Sequence, residues 1–380
     1  MDELNATVMA VALGVSALVC LLVVVTQRWH GRLSLDHDLD GAQKFHETPV
    51  PRVGGLGLIA GVLAGAWVCW QLAPTGVAAD KAAPLVLLAC GLPAFAAGLL
   101  EDMTKRVRVS ARLLATFASA ALAIWALDAQ LTRLNTWGLD ELMVYGPIAF
   151  VFTCFAVGGV ANAVNIIDGF NGLASGSVVL MLAGLGALAW WSGDGLVLQL
   201  CMLGAGALLG FMLLNYPFGK IFLGDGGAYL AGFWLAECAV LLLVRNPEVS
   251  TWAVLLACLY PVFETVFSMW RKSIYRKTGM GKPDKVHLHM LVFRRLVGQR
   301  MGSQSPAWAR HGATSLLIWT MVAACQAWVM GLTVAGQGTV MMLGGAIVFA
   351  LFYVAVYRSL VQACMPGRVD RDDLQRPMHA

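Results

Sequence analysis

The sequence predicts an all-α, polytopic integral membrane protein with about eleven transmembrane helices. Its 380 residues are 59% hydrophobic and only 13% charged, whereas soluble domains carry about 25% charged residues, and its mean hydropathy is +0.72. Eleven apolar stretches occur along the chain, each close to the about 20 residues that a helix needs to cross the hydrocarbon of a bilayer. These observations exclude a soluble multidomain protein.

The predicted spans leave room for connecting loops and give no sign of a separate soluble domain. They cover residues 6–25, 54–73, 83–100, 109–127, 143–160, 173–191, 196–214, 228–244, 251–270, 313–334 and 340–356. The chain opens with Met1, Asp2 and Glu3 and has no Lys or Arg before Arg28, whereas a cleavable signal peptide begins with a positive segment. We therefore expect a retained first helix with the N-terminus outside, and a single membrane domain over residues 1–380.

Lys and Arg are distributed unevenly between the two sides that this topology defines. Alternate connections together with the C-terminal tail, residues 357–380, contain 23 of the 26 Lys and Arg residues. Because cytoplasmic loops of membrane proteins are enriched in these residues, we expect this side and the C-terminus to be cytoplasmic. The connection 271–312 alone holds ten of them, which predicts an interfacial helix at anionic headgroups, a lid over an anionic substrate, or both.

Carboxylate and amide side chains gather on this same predicted cytoplasmic side. Glu101 and Asp102 follow the third span. Asn162, Asn165 and Asp168 follow the fifth span at a spacing of three, which places them on one face if the segment is helical. The shared side makes these residues candidates for one site.

Asp225 adds a third carboxylate cluster, within a glycine-rich turn after the seventh span that permits close approach of the backbone to a ligand. Taken singly, each cluster is equally consistent with a solvated helix end or an ordinary turn. Taken together, carboxylates from three loops without a thiolate favour a hard cation such as Mg²⁺. Cations on the same side would balance substrate phosphates, which suggests chemistry on a nucleotide diphosphate at the membrane surface.

Six motifs, in order within a core of residues 45–295, resemble those of the polyprenyl-phosphate N-acetylhexosamine-1-phosphate transferases. That family includes MraY and WecA, and the chain looks most like the branch of WecA and WbpL. The motifs are His46-Glu47-Thr48-Pro49-Val50-Pro51-Arg52-Val53-Gly54-Gly55, Glu101-Asp102, residues 162–173, residues 222–225, Pro261-Val262-Phe263-Glu264-Thr265 and His287-Leu288-His289.

The resemblance implies that a UDP-N-acetylhexosamine donates its sugar 1-phosphate to undecaprenyl phosphate, giving undecaprenyl-diphosphate-sugar and UMP. This step would initiate a cell-surface polysaccharide such as the O-antigen of lipopolysaccharide. The resemblance also implies Mg²⁺, with Mn²⁺ as an alternative, and a multi-pass protein of the bacterial inner membrane whose active site faces the cytoplasm. UDP-N-acetylglucosamine is favoured only as the commonest donor in the family. The expected partners are these two substrates and the membrane, without nucleic acid, and a homodimer is compatible with the resemblance.

The resemblance assigns catalytic roles to three aspartates, which we expect to converge around one divalent ion. Asp225 would ligate the metal, Asp102 would ligate it or position and deprotonate the lipid phosphate, and Asp168 would orient the nucleotide. A two-step reaction through an acyl-phosphate on a carboxylate stays open. The expected substrate-binding residues are Arg52, Glu101, Arg112, Asn162, Asn165, Phe222, Glu264, His287, His289 and Arg294.

Four positions depart from the family pattern. Glu101 and Glu264 each stand where the family usually has Asp, and Met290 follows His289 where the family has a further histidine. Asn171 replaces a second aspartate of the nucleotide motif. Because Asn171 carries no charge, we expect no direct catalytic role at that position.

Two other classes of function fit parts of the sequence. A transporter or flippase of lipid-linked or nucleotide-linked sugars would place polar groups near the bilayer midplane and show repeats with broken helices, whereas the mid-span acids here are mainly Glu237 and Glu264. A non-enzymatic scaffold leaves the acidic clusters unexplained. Glu237 matches no family motif, and its simplest interpretation is a protonated or hydrogen-bonded structural glutamate.

Overall fold

The computed structural model describes residues 2–35, 49–72, 78–276, 286–302 and 304–362. Over these residues the chain consists of helices, their connections and one isolated antiparallel bridge between Leu35 and Pro51. The helices are α1 (Asp2–Ser34), α2 (Gly55–Leu72), α3 (Ala78–Thr104), α4 (Val109–Leu127), α5 (Asp140–Met143), α6 (Gly146–Ile167), α7 (Leu173–Trp191), α8 (Gly195–Asn215), α9 (Gly224–Arg245), α10 (Thr251–Ala257), α11 (Leu259–Arg271), α12 (Leu288–Leu291), α13 (Gly298–Met301), α14 (Ala307–Val334) and α15 (Thr339–Gln362), with π-helical turns over Lys272–Arg276 and Val292–Val297.

The number of membrane-spanning helices agrees with the sequence. In the described part of the chain, ten helices are long and apolar enough to cross a membrane, and the bent pair of α10 and α11 makes up to eleven. The prediction of an all-α, polytopic membrane protein is thus confirmed. Which side each terminus faces stays a prediction, and residues 363–380 of the predicted tail lie outside the described residues.

The ninth predicted span is not one continuous helix. It breaks at Cys258, where α10 and α11 meet at an angle of 79°. Pro261 explains the position of the break, because a proline has no N–H to donate and its ring clashes with the carbonyl four residues earlier, here that of Ala257. The bend sets the direction of α11, which carries Glu264.

Helix α9 is the centre of the bundle, and nearly all of its side chains are buried. Glycines let the neighbouring helices approach its first turn, as small residues do between membrane helices. A Cβ at Gly98 of α3 would lie 2.5 Å from the backbone nitrogen of Gly226, and one at Gly55 of α2 would lie 2.6 Å from that of Gly227. The glycine-rich turn thus allows close contact with the backbones of α2 and α3.

The segment before α2 pairs with the segment before α9 at one end of the bundle, which we call the site end. Gly54 N–H donates to the carbonyl of Phe222 at 2.9 Å, and Phe222 N–H donates to that of Pro51 at 2.8 Å. Gly224 has a φ of +75°, and a Cβ there would lie 2.2 Å from the carbonyl oxygen of Arg52. Glycine at this turn therefore lets the backbone of Arg52 lie directly beside Asp225.

Candidate active site

Asp102 holds the first turn of α9 from the neighbouring helix α3. Its buried carboxylate accepts the N–H of Asp225 on Oδ1 and the N–H of Gly226 on Oδ2, both at 3.0 Å. The first N–H groups of a helix have no partner within the helix and form the positive end of its dipole. Asp102 therefore caps α9 and fixes the backbone that carries Asp225.

Asp225 is surrounded by two guanidinium groups and one amide. Arg52 Nη2 and Asn165 Nδ2 donate to its Oδ1 at 3.3 and 3.2 Å, and Arg112 pairs with its Oδ2. The same Arg52 nitrogen lies 3.5 Å from Oδ1 of Asp102. The two carboxylates that the sequence assigns to a metal thus face one point, where the guanidinium of Arg52 lies.

Tyr229 joins two of the predicted substrate-binding residues. Its hydroxyl donates to Asn162 Oδ1 at 3.4 Å, and its ring centroid lies 5.9 Å from Cζ of Arg112. The sequence reasoning missed Tyr229. Its spacing of four from Asp225, which puts both residues on one face of a helix, is the signal that could have found it.

Glu101 and Phe222 lie in the same region, and both help to shape the chain around it. Glu101 Oε2 accepts the N–H of Val107 at 2.7 Å and so closes the turn between α3 and α4. The backbone of Phe222 pairs with the segment that carries Arg52.

Asp168 follows the last residue of α6, the helix that carries Asn162 and Asn165. Burial raises the pKa of Asp168 to about 7, Arg52 acts to lower it, and Asp102 acts to raise it. Its carboxylate makes no hydrogen bond to any described residue. Asp168 therefore belongs electrostatically to the cluster around Arg52.

Glu264, His287 and His289 form a second cluster at the site end. Nδ1 of His287 lies 2.9 Å from Oε1 of Glu264, and the two histidine rings stack with centroids 5.3 Å apart. Tyr260 places its hydroxyl 3.4 Å from Nδ1 of His289. Burial, with a neighbouring guanidinium, lowers the pKa of Arg294, although an arginine stays charged at neutral pH.

The segment 168–171 brings the two clusters together. The ring of Phe170 lies 5.7 Å from that of His289 and 5.0 Å from that of Phe293, while Asp168 two residues earlier interacts with Arg52. This segment therefore connects the cluster around Asp225 with the cluster of Glu264, His287 and His289.

Two buried amide side chains hold the loops beneath this region. Asn171 Nδ2 donates to the carbonyl of Pro217 at 2.7 Å, a contact within the protein at the position where no catalytic role was expected. Asn215 accepts the N–H of Gly172 at 2.6 Å and donates to the carbonyl of Ile221 at 2.7 Å. Asn215 thus ties the loop after α6 to the loop before α9, a role that the sequence reasoning did not foresee.

The donor set suits a hard cation with few protein ligands. Among the described residues, no three His, Cys, Asp or Glu side chains lie close enough to hold one metal ion, so Asp102, Asp168 and Asp225 do not form a three-ligand cluster. Asp102 and Asp225 still direct oxygens at one positive nitrogen within 3.5 Å. Mg²⁺ commonly binds one or two carboxylates and takes its other ligands from water and substrate phosphates, and this pair fits that habit.

Glu237 lies apart from the site, in the middle of α9. It is fully buried, and neither carboxylate oxygen has a hydrogen-bond partner among the described residues. Cys90 of α3 and Cys154 of α6 are its electrostatic neighbours. Glu237 is therefore not hydrogen-bonded to any described residue, and the protonated form of the sequence interpretation stays a prediction.

The fold and the site together define a polytopic membrane protein with a charged, phosphate-compatible site built from its helix ends. Residues 84–243 match the model of Glycosyl transferase family 4. The chain is 30% identical over 258 residues to a phospho-N-acetylmuramoyl-pentapeptide-transferase of Enterococcus hirae, covering 65% of this chain and 77% of that protein.

Two further relatives are named as N-acetylglucosaminyl 1-phosphate transferases. The chain is 28% identical over 256 residues to a probable undecaprenyl-phosphate N-acetylglucosaminyl 1-phosphate transferase of Bacillus subtilis, covering 66% of this chain and 68% of that protein. It is 27% identical over 273 residues to the undecaprenyl-phosphate alpha-N-acetylglucosaminyl 1-phosphate transferase of Escherichia coli K12, covering 68% and 69%. The chain belongs to the polyprenyl-phosphate N-acetylhexosamine-1-phosphate transferases, the MraY and WecA superfamily, as its motifs predicted.

Proposed function

We propose that this protein transfers N-acetylglucosamine 1-phosphate from its UDP-sugar to undecaprenyl phosphate. An oxygen of the lipid phosphate attacks the sugar-linked phosphorus, the bond between the two phosphates of the donor breaks, and UMP leaves while the sugar C1–oxygen bond stays intact. The names of the Bacillus and Escherichia relatives support this donor and acceptor.

The observation that carries the proposal is the pairing of Asp102 and Asp225 with Arg52 and Arg112 at the ends of buried helices. Phosphoryl transfer depends mainly on positioning and on neutralising charge. The two guanidiniums release their carboxylates to bind phosphate oxygens when substrates arrive, because Arg recognises phosphate and carboxylate by the same geometry. Asp168 and Asn162 orient the donor, and His287, His289 and Arg294 bind its phosphates from the second cluster.

We also propose that Asp225, with Asp102, holds Mg²⁺ when substrates are bound, with Mn²⁺ as an alternative. A bound divalent ion supplies Lewis-acid stabilisation of charge on the phosphates. Asp102 keeps its contacts to the first turn of α9 and so holds Asp225 in place.

The test is release of UMP by the purified protein given UDP-N-acetylglucosamine, undecaprenyl phosphate and Mg²⁺. Asp225→Asn should lower kcat by about 10²- to 10³-fold, since Lewis-acid stabilisation is worth about 3 to 4 kcal/mol, and EDTA should have the same effect on the wild type. Asp128→Asn is the matched control, because Asp128 is exposed beyond the other end of α4 with a φ of +52° that Asn tolerates.

A donor panel tests the sugar. UDP-sugars that carry N-acetylgalactosamine or 6-deoxy N-acetylhexosamines differ from the favoured donor by one hydroxyl or its orientation, and pocket contacts decide between them. Absence of UMP with every donor, together with uptake of a lipid-linked or nucleotide-linked sugar by vesicles, would favour a transporter instead.

We propose further that the site end faces the cytoplasm of the bacterial inner membrane, where the product initiates a cell-surface polysaccharide. The asymmetry of Lys and Arg supports this orientation. In intact spheroplasts, Asp128→Cys should react with a membrane-impermeant maleimide, whereas Thr104→Cys at the site end should react only after lysis. The opposite pattern would contradict the orientation.

A further inference from the structure

Helix α15 contacts the carboxylate that holds the loop of His287. Oε2 of Glu264 accepts the hydroxyl of Tyr353 at 2.8 Å. Oε1 lies 2.9 Å from Nδ1 of His287 and accepts the N–H of Leu288 at 3.1 Å. Glu264 is 1% exposed and Tyr353 is fully buried. One buried carboxylate thus contacts α15 through Oε2 and the loop of His287 mainly through Oε1.

A second link reaches the same loop from the next turn of α15. The ring of Tyr357 stacks on that of Tyr353, with centroids 6.5 Å apart and an angle of 8°. Arg271 donates to the hydroxyl of Tyr357. It also donates to the carbonyl of Val286, at 2.6 Å. The backbone before His287 and the side chain of His287 are therefore both tied to α15.

These contacts determine which nitrogen of His287 can meet a substrate. A carboxylate only accepts hydrogen bonds, so Nδ1 carries the proton that points at Glu264 and Nε2 is the nitrogen left for other contacts. The N–H of Leu288 also lies 3.3 Å from Oε2. Without the hydroxyl of Tyr353, the carboxylate can rotate toward Leu288 and loosen its hold on the ring.

We propose that Tyr353 is a positioning residue for the donor substrate, acting through Glu264 on the ring of His287. The inference rests on the proposed function, in which His287 binds the phosphates of the UDP-sugar. Tyr353 lies outside residues 84–243, the part that matches the family model. Helix α15, which orients the loop of His287, is thus separate in sequence from Asp102 and Asp225.

Tyr353→Phe removes the hydroxyl and keeps the ring, which packs at 4.9 Å from Phe263 and 5.3 Å from Phe267. We expect the KM for UDP-N-acetylglucosamine to rise about tenfold, as for loss of a hydrogen bond to a charged group. The kcat should stay within about twofold and the KM for undecaprenyl phosphate should not change. Tyr145→Phe, an exposed tyrosine at the opposite end of α6, should leave all three constants unchanged.

A double-mutant cycle with His287→Ala separates positioning from a general structural effect. If Tyr353 acts through His287, the double variant should have the same KM for the donor as His287→Ala alone. Additive losses, or a Tyr353→Phe enzyme with the wild-type KM, would overturn the inference.

Calorimetry measures the binding of UDP by the four proteins of the cycle, which are the wild type, Tyr353→Phe, His287→Ala and the double variant. This readout needs neither turnover nor acceptor lipid. There too, Tyr353→Phe should weaken binding about tenfold only when His287 is present. Failure of the proposed function is seen separately, as absence of UMP release by the wild type.

Discussion

Asp102→Asn tests how the first turn of α9 is held at the site. Asn keeps one acceptor oxygen, so it can accept only one of the two N–H groups that Asp102 accepts at 3.0 Å from Asp225 and Gly226. Losing a hydrogen bond to a charged group costs about 1.5 to 3 kcal/mol, and losing the negative charge at the helix N-terminus adds about 0.3 to 1 kcal/mol. The lower end of the combined cost, about 2 kcal/mol, corresponds to a factor of about 30 in the opening equilibrium.

Hydrogen exchange followed by mass spectrometry measures that opening directly. A peptide covering residues 222–230 should exchange its first-turn amides about 30-fold faster in Asp102→Asn than in the wild type. Asp225→Asn is the matched control, because it leaves both backbone contacts of Asp102 in place while lowering UMP release about 10²- to 10³-fold. Unchanged exchange in Asp102→Asn, or equal acceleration in both variants, would refute the capping role.

Three further predictions concern Asp168, Gly98 and Glu237. Burial raises the pKa of Asp168 from 3.8 to about 7, so the folded protein binds this proton more tightly than the unfolded chain does. Thermal stability should therefore fall as the pH rises from about 4 to 7, and Asp168→Asn should remove that part of the fall. Gly98→Ala should lower stability by about 1 to 3 kcal/mol and reduce UMP release, because its Cβ would lie 2.5 Å from backbone of α9, whereas Gly159→Ala meets open space and should change neither. Glu237→Gln should release UMP at the wild-type rate, and a large loss would place the α9 midpoint in the mechanism.

Much of the fold could be predicted from the sequence because a membrane span has a simple signature. Length and apolarity identify a helix that must satisfy its backbone internally, and these alone located α2, α4 and α7 closely. The predicted first span ended at residue 25, but α1 continues to Ser34, since a helix does not have to stop where its apolar face ends. The same method predicted one continuous span across Pro261. It missed the break between α10 and α11, because that break depends on local backbone geometry and not on apolarity.

The residues that belong to the site could also be predicted, but the contacts between them could not. Motif order brought together Arg52, Asp102, Asp168 and Asp225, whereas their partners depend on how the helices dock. Asp102 caps α9 through two N–H groups, and no spacing within α3 reveals such a contact.

The residues that the sequence reasoning missed share one property. Tyr229, Asn215 and Tyr353 are uncharged and buried or nearly so, and each acts by joining two elements that are distant in the chain. A neutral side chain within an apolar stretch resembles ordinary packing until its partner is known.

The contact between Tyr353 and Glu264 has a consequence for the order in which a functional molecule is made. Ribosomes deliver α15 after every other helix of the site, so the acidic residues can be inserted and packed while the nucleotide loop still lacks its final support. A nascent chain stalled before Tyr353 would keep Asp102 and Asp225 in place but would bind UDP weakly. Competence to bind UDP would then arise only after α15 has packed against Glu264.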